Sequence, residues 1–332
     1  MQRQQELTEW LCSLFPNQQF ALTPASADAS FRRYFRATFA DGQTRVVMDA
    51  PPEHENCRPF LHIAKLFEEA GTHVPHVYAQ DLEQGFLLLS DLGDTTYLQA
   101  LSAANARDLY GAATDALIKI QLASREGELP AYDQALLLRE LRLFPEWYIA
   151  RHLDIPISDA QNARLEALFA RIIANNLAQP RVFVHRDYHS RNLMKLEVDN
   201  PGILDFQDAV YGPITYDLAS LFKDAYIRWE EAEIIDWLIR YWERARKAGL
   251  PVPSDFSGFY RDYEWMGVQR HLKVLGIFAR LYHRDGKDGY LKDLPLVMAY
   301  LRAACERYID LNPLLELLDE LEPQHKRAGY TF

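Results

Sequence analysis

Three residues near the middle of the chain have the types and the spacing of a site that acts on a hydroxyl group. His185, Asp187 and Asn192 follow the pattern H-R-D-x-x-x-x-N. In that pattern the aspartate accepts the proton of a substrate hydroxyl, and the asparagine carboxamide holds a magnesium ion. Further along, Asp205 ends a second apolar run and would be the main magnesium ligand. The spacing therefore predicts a proton acceptor and a metal site.

Two other interpretations of these residues are open. A single aspartate in a loop is often a turn former or a helix cap, and a single histidine is more often structural than catalytic. Alternatively, His185, Asp187 and His189 alternate along the chain and could bind zinc. The zinc interpretation explains neither Asn192 nor Asp205, and the cysteines offer it no support. We therefore favour the magnesium site.

Apolar runs on both sides position the polar loop. Val182 to Val184 is a β-branched run that predicts a strand, and Gly202 to Leu204 predicts another before Asp205. Before these runs, the N-terminal third mixes helical and extended patterns. We predict there a helix at 6–15, strands at 20–22, 31–39 and 44–48, a small-residue loop at 24–30, a helix at 59–70 and a buried strand from 85 that runs into a turn at 90–93.

The rest of the chain is mostly helical in its periodicity. We predict helices at 109–122, 136–153, 159–177, 230–248, 255–281 and 292–309, and a further helix that begins after Gly212. Asp217 lies near the start of that helix, where its carboxylate could cap the helix or brace the polar loop. The predicted architecture is α+β, with a small N-terminal lobe at 1–93, a hinge near 89–93 and a larger helical lobe at 94–332.

Composition limits the classes of function. The 332 residues carry a net charge of −11, 48% are hydrophobic and 25% are charged, as in an ordinary globular protein. The acidic balance argues against a general nucleic-acid binder, which needs a basic surface. Cys12, Cys57 and Cys305 form no disulfide or metal pattern, the N-terminal residues lack the apolar region typical of a signal peptide, and no apolar run is long enough to span a bilayer. We expect a cytoplasmic monomer with no nucleic-acid or membrane partner.

The motifs together resemble the aminoglycoside phosphotransferase and choline kinase family. The resemblance rests on His185 to Asn192, Ile203 to Phe206 and Tyr216 to Ala219, and it covers nearly the whole chain. It implies a two-lobed fold like that of protein kinases, with a small mixed N-terminal β lobe. It also implies that ATP and Mg²⁺ serve to phosphorylate a hydroxyl of a small molecule.

Within that family, four segments resemble the bacterial anomeric sugar kinases of cell-wall recycling. These segments are 48–53, 89–93, 205–208 and 269–278. This closer resemblance implies an amino sugar substrate, with N-acetylmuramate and N-acetylglucosamine phosphorylated at the anomeric hydroxyl. The alternative acceptors are other alcohols, such as choline, an amino alcohol or an antibiotic.

The resemblance also implies roles for individual residues. Asp187 is the catalytic base, and Asn192 and Asp205 bind magnesium. Arg270 and Lys273 are three residues apart on one face of a predicted helix, where a basic pair could recognise the lactyl carboxylate of a muramate. Both residues could equally pair with acids of neighbouring helices. The candidates for the nucleotide are Ser30, Phe31, Arg32, Arg33, Ser90, Asp91 and Leu92, and those for the sugar are His189, Arg270 and Lys273.

Two departures from the kinase pattern leave open whether the protein is an active kinase. The third strand ends in Val46-Val47-Met48-Asp49, so the lysine that normally contacts the ATP phosphates is missing, and the loop at 24–30 has no glycine. A pseudokinase that binds nucleotide without catalysis is therefore an alternative. Arg32, Arg33 or Arg36 could supply the missing charge, although each could equally be a solvated charge of the hairpin.

Overall fold

The computed structural model describes residues 2–27 and 31–322. The chain divides into an N-terminal unit, Met1–Ser102 with Arg191–Asp208, and a C-terminal unit, Ala103–Ser190 with Ala209–Phe332. The first half of the chain contains α1 (Gln2–Leu14), β1 (Phe20–Ala27), β2 (Arg33–Phe39), β3 (Thr44–Asp49), α2 (Cys57–Glu69), β4 (Val77–Asp81), β5 (Phe86–Ser90), α3 (Tyr97–Ala100), α4 (Ala106–Leu122), α5 (Gln134–Leu141) and a π-helix (Phe144–His152). The second half contains α6 (Asp159–Leu177), β6 (Arg181–Val184), β7 (Leu193–Met194), β8 (Gly202–Ile203), β9 (Val210–Pro213), α7 (Tyr216–Phe222), α8 (Glu231–Lys247), α9 (Phe256–Asp285), a 3₁₀ helix (Asp288–Asp293), α10 (Leu294–Arg307), a second 3₁₀ helix (Ile309–Leu311) and α11 (Asn312–Leu321).

The N-terminal unit is built on a five-stranded antiparallel sheet in the order β1-β2-β3-β5-β4. Gly42 makes the turn between β2 and β3 at a φ of +84°, in the left-handed region that glycine reaches without strain. Helix α1 buries Leu7 and Leu11 in the same core as Phe39 and Phe86 of the sheet, because these two leucines lie one turn apart on one face. One side of the sheet is thereby covered by α1.

Helix α2 and the hairpin β7–β8 hold segment 191–208 within the N-terminal unit. The ring of Phe206 lies 4.9 Å from the ring of Phe60 and 5.9 Å from that of Phe67, which are both on the buried face of α2. The amide of Ile203 also donates to the carbonyl of His73 at 2.8 Å. These contacts fix the backbone that carries the neighbouring Asp205.

Helix α9 is the centre of the C-terminal unit. Its 30 residues include an unbroken buried run from Tyr263 to Gly276, because α5, α6, α7, α8, α10 and the π-helix all contact it. Gly276 permits a close approach, since a Cβ at this position would lie 2.5 Å from the carbonyl oxygen of Leu143. The buried run includes Arg270 and Lys273, and buried charges of this kind need partners.

Most of the predicted elements are confirmed within a few residues. The predicted end of the first strand at 22 and the predicted loop at 24–27 are wrong, because β1 continues to Ala27 and stays paired with β2 through a bulge between Pro24 and Ser26. The predicted helix at 136–153 is also wrong. It is α5 followed by a π-helix, because Pro145 has no N–H to continue the α-helical ladder. Strand β9 and helices α3 and α11 were not predicted, and the Gly212-Pro213 pair in β9 is more typical of a turn. The lobe boundary near residue 93 stays a prediction. Across residues 2–27 and 31–322, no helix has the length and apolar character to span a bilayer.

Candidate active site

The loop after β6 is held in shape by buried hydrogen bonds. His185 follows the last residue of β6 and is fully buried. Its Nδ1 atom accepts the amide N–H of Asp187 at 3.2 Å. Arg186 has a φ of +77°, a left-handed conformation that costs a non-glycine residue about 1 kcal/mol or more. Contacts with neighbouring elements must therefore keep Arg186 in this conformation.

Asp217 braces the loop from the first turn of α7. Its carboxylate accepts the amide N–H groups of His185 at 2.7 Å and of Arg186 at 3.0 Å. Burial raises the pKa of Asp217 to about 7, against the opposing effects of these two donors and of Arg270. The predicted bracing role of Asp217 is confirmed, because its two hydrogen bonds fix the backbone that carries Asp187.

Asp187 presents its carboxylate among positive charges. Its side chain is 40% exposed, and Nη1 of Arg270 lies 3.8 Å from its Oδ1. Although burial by itself raises the pKa of Asp187, the charges of Lys273 and Arg270 hold that pKa well below its usual range. The carboxylate is therefore ionised at neutral pH and can accept a hydrogen bond from a hydroxyl group.

Glu140 of α5 connects the loop to α9. Its buried carboxylate accepts hydrogen bonds from Arg186 at 2.5 Å and from Gln269 at 3.0 Å, and it lies 3.1 Å from the ammonium of Lys273. Although burial opposes ionisation, Lys273 and Arg186 lower the pKa of Glu140 to about 2. Glu140 therefore balances two buried cations next to Asp187.

Neither Glu140 nor the role of Tyr216 was predicted from the sequence. The Tyr216 hydroxyl, fully buried, accepts a hydrogen bond from Lys273 Nζ at 3.0 Å. Glu140 lies three residues after Leu137 on the buried stripe of α5, and a charged residue on such a stripe is the signal that could have found it. Tyr216 gave no comparable signal, because a buried tyrosine is ordinary in a core.

The three residues predicted to bind the sugar all lie in the C-terminal unit. Arg270 and Lys273 are only 5% and 6% exposed, and Arg270 donates to a backbone carbonyl of the polar loop at 2.9 Å. His189 contacts the ring of Tyr226 edge-on, with 5.4 Å between centroids. A sugar carboxylate would have to compete with Glu140 for Lys273, so the roles of these residues in sugar binding stay predictions.

Asn192 and Asp205 lie together in the N-terminal unit. The Asn192 carboxamide nitrogen is 3.3 Å from Asp205 Oδ2, and rotating the carboxamide by half a turn brings its oxygen to the same point. Gln207 donates to the other oxygen of Asp205 at 2.8 Å. Carboxylate and carboxamide oxygens are ligands that Mg²⁺ accepts, and the ion takes its remaining ligands from water and phosphates. The two side chains therefore fit a magnesium ion.

The zinc interpretation is not supported. The described residues contain no cluster of three or more His, Cys, Asp or Glu side chains placed to hold a metal. Of the three residues considered for zinc, His185 is turned inward, and its Nδ1 accepts a backbone amide. It therefore acts on the shape of the loop.

Arg32, just before β2, and Arg33, its first residue, have different contacts. Nη2 of Arg32 lies 3.9 Å from Oδ1 of Asp205, and the Arg32 side chain is 11% exposed. Arg33 instead donates through Nε to Asp49 at 3.1 Å, and the fully buried Asp49 also accepts from Arg3 at 3.0 Å. Of these two arginines, Arg32 is therefore the one beside the candidate metal ligands.

The other residues predicted near the phosphates are Ser30 and Phe31. Ser30 lies outside the described residues. Phe31 is 63% exposed, and its ring stacks on that of His54 with 4.5 Å between centroids. Its amide donates to Glu55 at 3.2 Å, which ties the chain before β2 to the segment that precedes α2.

The side chains of the predicted hinge are engaged within the N-terminal unit. Asp91 pairs with Nε of Arg36 at 2.6 Å, and although burial raises the pKa of Asp91, this arginine lowers it overall. The hydroxyl of Ser90 accepts the amide N–H of His76 at 2.9 Å, and Leu92 is buried. Contacts of this segment with an adenine base would therefore be made by backbone groups.

The small antiparallel sheet, the mostly helical C-terminal unit and the loop that carries Asp187 define a kinase-like phosphotransferase. The model of the phosphotransferase enzyme family known as APH matches residues 21–252, and the chain belongs to this family. This membership makes the protein an enzyme and confirms the expected class of reaction.

Two curated relatives match all or nearly all of the chain. An N-acetylmuramate/N-acetylglucosamine kinase of Neisseria meningitidis is 50% identical over 337 residues, which cover 100% of both chains. An enzyme of the same name from Pseudomonas putida is 52% identical over 330 residues, covering 96% of this chain and 97% of the relative.

The fold is similar to that of a choline kinase from Streptococcus pneumoniae. The TM-score is 0.64 at 14% identity, with 91% of this chain and 100% of that chain covered. Another structure of the same choline kinase is a complex with AMP. The predicted kinase-like α+β fold is confirmed.

Proposed function

We propose that the protein transfers the terminal phosphoryl group of ATP to the anomeric hydroxyl of N-acetylmuramate and of N-acetylglucosamine. The observation that carries this proposal is the 50% identity, over the full chain, with a kinase named for these two sugars. In the cell this reaction returns amino sugars of the cell wall to metabolism. It takes place in the cytoplasm, and the protein acts as a monomer whose partner is the small sugar.

Asp187 orients the sugar hydroxyl and accepts its proton. Because the pKa of Asp187 is low, the carboxylate is a weak base toward a free hydroxyl. Proton transfer becomes favourable as the hydroxyl oxygen bonds to phosphorus and the bond between phosphorus and ADP breaks. Before that point the contribution of Asp187 is to hold the oxygen in position for attack.

The N-terminal unit holds the nucleotide. Asn192 and Asp205 would bind magnesium, which when bound neutralises charge on the phosphates. The backbone of Ser90 to Leu92 contacts the adenine base. Arg32 adds positive charge beside Asp205, at the 3.9 Å separation described above.

The proposal is tested by incubating the purified protein with ATP, Mg²⁺ and single acceptors. The acceptors are N-acetylmuramate, N-acetylglucosamine, choline, ethanolamine and an aminoglycoside. We expect ADP release with the two sugars, and ³¹P NMR of the product should show phosphorus coupled to the anomeric proton. The methyl glycoside of N-acetylglucosamine is the matched control, because its anomeric oxygen is blocked.

Other outcomes would overturn the proposal. Turnover of choline or an aminoglycoside in place of the sugars would indicate a different acceptor. Equal turnover of the methyl glycoside would move the reaction to another hydroxyl. No ADP release with any acceptor would favour a protein that binds nucleotide without catalysis.

A further inference from the structure

Strand β3 ends in an acid that is already paired. In protein kinases a lysine on the third strand contacts the ATP phosphates and pairs with a glutamate of the following helix. Here the strand ends in Asp49, which is fully buried and bound by Arg3 and Arg33. The position of the kinase lysine thus holds an acidic residue paired with two arginines, and the guanidinium of Arg33 is bound to Asp49.

Arg32 lies in a different environment. Its Nε is 3.9 Å from Oε2 of Glu55, and its Nη2 is 3.9 Å from Oδ1 of Asp205. These separations are ion-pair distances and are too long for hydrogen bonds. With side-chain exposures of 11% for Arg32 and 20% for Glu55, the pair is largely shielded from water, so the attraction is stronger than on an open surface.

Glu55 contacts both residues that immediately precede β2. It lies immediately before Asn56, the residue that caps the N-terminus of α2. Its second carboxylate oxygen, Oε1, accepts the amide N–H of Phe31 at 3.2 Å. Glu55 therefore contacts both Phe31 and Arg32, and it ties their position to the start of α2.

We propose that Arg32 and Glu55 replace the missing pair of lysine and glutamate. Arg32 binds the phosphates of the nucleotide, and Glu55 is the positioning residue that holds the guanidinium beside Asp205. A guanidinium suits this role because its planar N–H groups can donate two parallel hydrogen bonds to one phosphate. The inference rests on the proposed function only in taking ATP as the nucleotide.

Nucleotide binding without sugar tests this proposal. The affinity of the full-length protein for AMPPNP with Mg²⁺ is measured by isothermal titration, and adenosine serves as a second probe that lacks phosphates. Arg32→Ala should weaken AMPPNP binding roughly tenfold to hundredfold, the range expected when charge-assisted hydrogen bonds are lost. The affinity of Arg32→Ala for adenosine should stay within a factor of about two of the wild-type value. Adenosine has no phosphates, so it would not contact the guanidinium that this substitution removes.

A double-mutant cycle tests whether Glu55 positions Arg32 or contacts the nucleotide directly. Glu55→Gln should weaken AMPPNP binding by a smaller factor than Arg32→Ala. In the Arg32→Ala background, Glu55→Gln should have no further effect, because Glu55 acts through Arg32. Arg45→Ala, on β3, and Glu53→Gln, an exposed neighbour of Glu55, are matched controls and should bind AMPPNP normally.

Several outcomes would overturn the inference. These are wild-type AMPPNP affinity in Arg32→Ala, an equal effect of Glu55→Gln with and without Arg32, and a wild-type protein that binds no AMPPNP. A failure of the proposed function would look different. The protein would then not turn over the sugars, although its variants would still bind AMPPNP and adenosine with the affinities expected here.

Discussion

The guanidinium of Arg186 donates to the carboxylate of Glu140 across 2.5 Å, although the two residues are 46 positions apart in the chain. Arg186 directly precedes Asp187 and has a φ of +77°. The conformation that presents the Asp187 carboxylate is therefore supported by a buried ion pair to a different helix.

Replacing Glu140 should reduce both stability and turnover. We expect Glu140→Gln to lower the free energy of unfolding by about 3 kcal/mol, because Arg186 and Lys273 would lose a buried counter-charge. The value of kcat should fall by up to roughly 100-fold if the loop shifts. Urea unfolding and steady-state kinetics with N-acetylglucosamine measure the two effects.

A second substitution tells these effects apart. Glycine adopts a positive φ without support, so Glu140→Gln/Arg186→Gly should turn over faster than Glu140→Gln alone. If the double variant is no faster, Glu140 acts on stability and not on the conformation of the loop.

The stability contributed by Glu140 should depend on pH. Its pKa is about 2 in the folded protein, below its ordinary value of 4.5. The folded state therefore gains stability from this group above pH 4.5, and it loses that stability progressively as the pH falls toward 2. Urea unfolding at several pH values should show a smaller loss in this window for Glu140→Gln than for the wild-type protein. Parallel losses in the two proteins would contradict the assignment.

If Asp187 is the proton acceptor, as we propose, removing its carboxylate should affect the chemical step. Asp187→Asn should lower kcat by on the order of 10²–10⁴, the usual contribution of a positioned general base. Binding of AMPPNP with Mg²⁺, measured by titration, should stay close to that of the wild-type protein. Turnover like that of the wild-type protein in a folded variant would exclude Asp187 from the mechanism.

Asp217→Asn should loosen the loop while keeping the shape of the side chain. A carboxamide offers one accepting oxygen in place of two, so one of the amides of His185 and Arg186 loses its partner at a cost of about 1–3 kcal/mol. Hydrogen exchange at these two amides should accelerate, and kcat should fall. Asp262→Asn, a half-buried aspartate of α9, is the control and should change neither. Unchanged exchange in Asp217→Asn would contradict the bracing role.

The preference between N-acetylmuramate and N-acetylglucosamine tests whether Arg270 or Lys273 recognises the lactyl carboxylate. If one of them recognises the lactyl carboxylate, its alanine variant should lower the ratio of kcat/KM for N-acetylmuramate over N-acetylglucosamine by roughly tenfold to hundredfold. Lys273→Ala should also lower the melting temperature, because it leaves Glu140 with one cation fewer. Arg261→Ala, an exposed position on the same helix, is the control. An unchanged ratio in both variants would exclude this pair.

The sequence could predict those parts of the site that depend on residues close together in the chain, and it could not predict contacts between residues far apart in the chain. The spacing of His185, Asp187 and Asn192 is local, and the periodicity of α6 gave its limits of 159–177 without error. The contact of Glu140 with Gln269 joins residues 129 positions apart, and no local pattern encodes such a pairing. Arg32 and Arg33 are adjacent and chemically identical, so only the folded chain distinguishes the one beside Asp205 from the one bound to Asp49.

The lysine-free third strand has a consequence for chemical probes. ATP derivatives with an acyl group on the terminal phosphate would acylate the amine of a strand lysine, and β3 offers no such amine along Thr44–Asp49. A guanidinium is far less nucleophilic than an amine, so a proteome-wide survey with these reagents should leave this enzyme unlabelled at that strand. With Arg32 at the phosphates, as we propose, an inhibitor with a planar acidic group matched to a guanidinium fork would distinguish this nucleotide site from those of lysine-bearing kinases.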